Sequence, residues 1–200
     1  FVIFSASHIS ALLATALALI LMVWVARTQS QSMKRGVERV MAALLALQWP
    51  LQTLYYYSQG TLDVDRSFPL HLCDLVGYLS AYVLWTERWK FAPYVYFLGL
   101  AGTFQGLLTP ALNEDFPSPR YFIFFVSHGG VVVTALYAVF GRQWRPKAVD
   151  KWKAFLALFG FAGGVGTLNF LLGANYGFLC RKPVTASLFD ALGPWPWYVG

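Results

Sequence analysis

Cys73 lies two residues after His71 and one before Asp74, in the run Pro69-Leu-His-Leu-Cys-Asp74. A cysteine attacks acyl carbon once a base or a helix amino terminus favours its thiolate. On a helix, His71 and Asp74 are three apart and share a face, so the carboxylate can orient the imidazole or hold its proton. His71 and Cys73 point to different sides, which makes His71 a poor direct base for the thiol. His128, in Phe125-Val-Ser-His128, is free to approach from another segment and is the candidate base. Gln105, Arg120, Asn169, Asn175 and Tyr176 are the candidate substrate contacts, because amides beside a nucleophile can stabilise an oxyanion and an arginine can hold a head group. Each has a plainer reading. Cys73 can be an inert packing residue or be joined to Cys180 in an oxidising exterior. His71, Asp74 and His128 can bind a metal or line an ion path, although residues so dispersed make a weak metal signal. Asn169, Asn175 and Gln105 can be helix-to-helix hydrogen bonds, and His8 an interfacial residue. There is no Cys-x-x-Cys pair, and neither a metal nor a cofactor is expected.

These residues must be positioned by membrane helices. The chain has 200 residues, 58% hydrophobic and 12% charged, an apolar excess that an integral membrane protein needs and a soluble domain does not. Long apolar runs broken by Gly, Pro and polar clusters read as helices rather than as the alternating strands of a barrel. Six spans are expected: His8 to Ala26, Val37 to Tyr57, Pro69 to Trp85, Phe91 to Leu108, Tyr121 to Phe140 and Ala154 to Leu172. A truncated seventh is expected over 195–200, in the aromatic run after Pro194. The fold class is therefore all-α, one polytopic transmembrane helical domain over 1–200. Gly102-x-x-x-Gly106 and Gly160-x-x-x-Gly164 predict close helix packing.

The loops after the first, third and fifth spans carry Arg27, Lys34, Arg35, Arg39, Arg88, Lys90, Arg142, Arg145, Lys147, Lys151 and Lys153. Only Arg66, Arg120, Arg181 and Lys182 lie on the other side. The positive-inside rule then puts the amino terminus outside. The net charge of +6 is thus a topology signal and not a nucleic-acid surface. With that topology, the third, fourth, fifth and sixth spans all bring polar groups to the outer half of the membrane, whereas the cytoplasmic halves show little comparable polarity.

The motifs Pro69-Leu-His-Leu-Cys-Asp74, Gly102-Thr-Phe-Gln-Gly-Leu-Leu-Thr-Pro110, Phe116-Pro-Ser-Pro-Arg-Tyr121, Phe125-Val-Ser-His128, Asn169-Phe-Leu-Leu-Gly-Ala-Asn-Tyr176 and Gly193-Pro-Trp-Pro-Trp197 together resemble the YwaF-like family of bacterial integral membrane proteins. That family looks related to eukaryotic multi-spanning proteins described as cysteine-dependent phospholipid acyltransferases. The resemblance implies acyl transfer through Cys73, at the nucleophile position, with His128 at the histidine position. It also implies a bacterial cytoplasmic membrane and membrane lipids as partners. The expected function is an intramembrane acyltransferase or lipid acyl hydrolase. The competing expectation is a receptor or transporter that binds a small ligand in the same polar layer.

Overall fold

The computed structural model describes residues 1–183 and 188–199. Within them, six long helical segments run back and forth: α1 (Ala6–Thr28), α2 (Gln31–Ser58), α3 (Leu72–Thr86), α4 (Trp89–Leu108), α5 (Pro119–Phe140) and α6 (Ala148–Leu172). No strand occurs among the described residues. The seventh span is not found: its described part ends in a 3-10 turn, Trp197–Val199, and Gly200 lies outside the described residues. There Trp195 Nε1 donates to the Leu179 carbonyl and the Tyr198 hydroxyl to that of Phe178. The aromatic run folds back on the preceding loop.

Helix ends follow local chemistry. The Ser5 and Ser30 hydroxyls accept the free N–H groups of His8 and Met33, and Ser118 does the same for Arg120 with Pro119 in the first turn, as capping residues do. Asp150 accepts from the Lys147 backbone N–H at the start of α6, and Gly173 ends it in the left-handed region at φ 64°. In lipid every such group needs a protein partner.

α1, α4, α5 and α6 are long and apolar enough to cross a membrane. α2 has the length but begins with Lys34, Arg35, Glu38 and Arg39. α3 has 15 residues, about 22 Å at 1.5 Å per residue, short of a typical hydrocarbon core. It starts at Leu72 rather than Pro69 because His71 is its N-cap, in extended conformation.

α5 is the hub, in contact with α1, α2, α3 and α4, while α6 packs on α4. Small residues set the closest approaches: a Cβ on Gly99 would lie 2.8 Å from Val131 and one on Gly130 2.9 Å from Leu45. The two small-residue motifs part company here. Gly102 and Gly106 face Leu72 and His128, whereas Gly160 and Gly164 have nothing within 4 Å. Among the described residues the second motif therefore mediates no close packing, contrary to expectation.

Candidate functional site

At the end of the bundle that holds the amino terminus, two loops close over the start of α3. Asp65 in the α2–α3 loop pairs with Arg181 at 2.8 Å and accepts the Asn175 backbone N–H at 2.6 Å. The Tyr176 hydroxyl donates to the Val64 carbonyl. His71 ties the same loops together. Its Nδ1 accepts the Gly177 N–H at 3.2 Å, so Nε2 carries the proton and donates to the Asp65 carbonyl at 3.2 Å. Both ring nitrogens are thus committed to backbone, and the expected pairing of His71 with the Asp74 carboxylate is replaced by this clasp. Asp74 is buried in the first turn of α3, and Gln48 donates to its backbone carbonyl at 3.2 Å.

The amides expected to contact substrate also serve the loop. Asn169 donates to the Tyr176 carbonyl at 2.9 Å and accepts its N–H at 2.8 Å. Asn175 donates to the Arg181 carbonyl and accepts from the Cys180 and Arg181 N–H groups. Tyr176 is fully buried between them. The polar atoms of Asn169, Asn175 and Tyr176 are spent on holding the lid in shape. Gln105 is exposed on α4, and its backbone carbonyl accepts from Thr109.

His128 sits differently. Its Nδ1 lies 3.0 Å from the Phe124 carbonyl and 3.1 Å from the Ser127 hydroxyl, which itself donates to that carbonyl. A carbonyl only accepts, so Nδ1 bears the proton and Nε2 keeps its lone pair. The ring stacks on Phe124 at 4.0 Å. Its Nε2 edge faces Gly106, where a Cβ would lie 3.3 Å from Nε2 and 2.8 Å from Cδ2. Gly106 makes room for the imidazole.

Arg120 lies over the Phe124 and Tyr56 rings at 5.6 Å and donates to the Tyr56 hydroxyl at 2.9 Å. The Phe124 ring thus lies against both Arg120 and His128. Cys73 and Cys180 are both free, Cys73 half-buried and Cys180 exposed. Among the described residues Cys73 is not hydrogen-bonded to His128, and no three His, Cys, Asp or Glu side chains gather as a metal centre requires.

Two findings fall outside the expectations. His8 is fully buried rather than interfacial: its Nδ1 accepts the Phe4 N–H at 2.9 Å and Nε2 meets the Leu107 carbonyl at 2.7 Å. The opposite end of the bundle is also far from apolar. Glu38, fully buried, accepts the Tyr137 hydroxyl at 2.6 Å, faces Arg142 at 3.0 Å and pairs with Arg35. Arg142 also pairs with Glu87, and Arg35 donates to the Leu84 and Trp85 carbonyls. The sequence pattern presents Arg35 and Arg142 as loop charges and so does not reveal this second polar layer. A buried acid one turn from an arginine on a long helix was the available signal. An apolar cluster containing Leu45, Val76, Val131 and Val133 packs with Tyr137 between the layers.

An apolar groove of ≈ 420 Å³ opens between α1, α2 and α5, lined by Thr15, Met41, Phe125 and Gly129 among others. Cys73 and His128 do not line it.

Residues 3–200 match the model of the TMEM164 family, and the chain belongs to that family, a family of membrane proteins. No curated protein and no solved structure matches it.

Proposed function

We propose that this TMEM164-family membrane protein is an intramembrane acyltransferase or lipid acyl hydrolase that works through Cys73. The observation that carries the proposal is the state of His128. It is held by the Phe124 carbonyl in the tautomer that leaves Nε2 unprotonated, and it meets α4 at Gly106, one turn from the Gly102 contact with Leu72, the residue before Cys73. A histidine so held presents a lone pair that can accept a proton. In this reading Nε2 takes the Cys73 proton, and sulfur attacks the carbonyl carbon of a lipid ester. The C–O bond then breaks, with the proton returned to the departing alkoxide. Water or a second lipid attacks the resulting thioester and regenerates the thiol. Arg120 would hold an anionic head group above the site. The likeness to YwaF-like proteins and to cysteine-dependent acyltransferases belongs to this proposal, as do a bacterial cytoplasmic membrane and an outward amino terminus.

Membrane lipids of several head groups, presented to the purified protein in detergent, test the reading. Turnover is expected in the wild type and is expected to vanish in Cys73→Ala and His128→Ala. Full lipid turnover in Cys73→Ala would sink it. A receptor or transporter using the same layer is distinguished by ligand binding that survives Cys73→Ala but fails in folded His128→Ala. Transport is disfavoured by the apolar cluster around Leu45, Val76 and Val131, which separates the two polar layers.

A further inference from the structure

Hydroxyls inside helices usually donate to the carbonyl four residues earlier, and the threonines of this bundle follow that habit. Thr15, Thr28, Thr86, Thr109, Thr134 and Thr167 all make this bond, at 2.7 to 3.1 Å. Two do not. The hydroxyls of Thr53 on α2 and Thr103 on α4 are buried and have no hydrogen-bond partner among the described residues. Thr103 as a whole is 2% exposed.

The backbone supplies a reason for Thr103. It closes a π-helical turn, Gly99–Thr103, in which the Phe104 N–H reaches back five residues to the Gly99 carbonyl. That carbonyl is the one Thr103 would otherwise use. Such turns interrupt helices where a side chain is needed for something else. An unpaired buried hydroxyl costs roughly 1–3 kcal/mol when no ligand completes it, so a residue kept in that state calls for an explanation.

The register of α4 says what Thr103 faces. Gly99 abuts Val131 and Val76, Gly102 abuts Leu72, and Gly106 abuts His128. Thr103 therefore stands between the Val131 and His128 contacts along α5, next to Gly102, which meets Leu72 of α3. A donor without an acceptor thus lies one turn along α4 from the contact with His128, the base of the reaction proposed above.

We propose that Thr103 is a catalytic residue whose hydroxyl donates a hydrogen bond to the carbonyl oxygen of an acyl ester as Cys73 attacks it. This rests on the acyl-transfer reading. When the S–C bond forms, the carbonyl π pair moves onto oxygen and the Thr103 O–H receives that charge. When the oxyanion collapses, the ester C–O bond breaks and His128 Nε2–H protonates the leaving alkoxide. The ligand class that follows is a neutral acyl ester carbonyl, an acceptor matched to a site that offers a donor.

The test uses p-nitrophenyl octanoate as acyl donor, intact-mass detection of the thioester on Cys73, and iodoacetamide alkylation of the same thiol. Alkylation needs the thiolate but forms no oxyanion. Thr103→Val keeps the side-chain shape and is expected to slow acylation by about a hundredfold, the scale of losing one oxyanion donor, with the iodoacetamide rate and the unfolding temperature at wild-type values. Thr103→Ser is expected to restore most of the acylation rate. If Thr103→Val acylates as fast as wild type, or if alkylation falls in parallel with acylation, the oxyanion role is overturned while cysteine chemistry stands. If wild-type Cys73 takes up no acyl group although it alkylates, the acyl-transfer reading falls and the role of Thr103 falls with it.

Discussion

Gly106→Ala adds a single methyl at the point where α4 lets the His128 ring in. The new carbon would stand 2.8 Å from Cδ2 and 3.3 Å from Nε2, against a comfortable carbon–carbon separation of about 3.5–4.0 Å. The ring would have to retreat by roughly 0.7–1 Å to restore that separation. Retreat is blocked behind by the Phe124 ring, already stacked at 4.0 Å, and restrained by the Nδ1 bond to the Phe124 carbonyl. Overpacking of this kind costs about 1–3 kcal/mol, and a displacement near 1 Å in a catalytic group costs on the order of 10²-fold in rate. Stability and chemistry should therefore both suffer, chemistry more. The assay pairs thermal unfolding in detergent with acylation of Cys73 by p-nitrophenyl octanoate. A variant that melts roughly 2–12 °C lower and acylates about a hundredfold more slowly is the expected outcome. Wild-type acylation in Gly106→Ala would refute the idea that the Nε2 edge of His128 must lie against α4.

Glu38→Gln leaves Arg35 and Arg142 facing only the half-exposed Glu87; breaking a buried pair from one side costs about 3–5 kcal/mol, and an unchanged unfolding temperature would contradict the assignment of Glu38 as a staple. Asn169→Leu removes both hydrogen bonds to the Tyr176 backbone, so hydrogen exchange at the Tyr176 amide should accelerate and stability should fall by about 1–3 kcal/mol; protection at wild-type level would count against the clamp. Glu87, outside the helices, is hydrogen-bonded by Arg142, which holds its carboxyl below the usual glutamate range. The stability this supplies is fully present above the ordinary value of about 4.3 and is lost as pH falls through the lower folded value; Glu87→Gln should flatten that part of the acid unfolding curve, and an identical curve would show that the pair contributes nothing.

Hydropathy alone located the six helices, because lipid demands long apolar runs and satisfied backbones of any chain that crosses it. It misjudged α3 because an apolar count does not register that Pro69 and Leu70 stay outside the helix while His71 caps it. Two identical Gly-x-x-x-Gly motifs read alike, yet among the described residues only the one at Gly102 and Gly106 meets another helix; the motif states what a face permits and not what lies opposite. His71, Asn169 and Asn175 were legible as polar residues at one end of the bundle. Their partners are loop backbone groups brought in from Asp65, Tyr176, Gly177 and Arg181, and no spacing rule reports those. The π turn that frees Thr103 left no mark in the hydrophobic pattern.

The two polar layers differ in a way that residue types do not reveal. Around Glu38 each acid meets an arginine and Tyr137 donates to the carboxylate, so the charges are matched within the protein. Around His128 the balance is left open: Nε2 keeps a lone pair facing α4, and the Thr103 hydroxyl lacks an acceptor among the described residues. A base and a donor left unmatched on facing helices are what an acyl carbonyl under attack by a thiol would complete, since one must take a proton and the other must receive charge. The charged layer is therefore best understood as holding the bundle together and the less charged one as acting on a substrate, opposite to the ranking that counting ionisable residues would give.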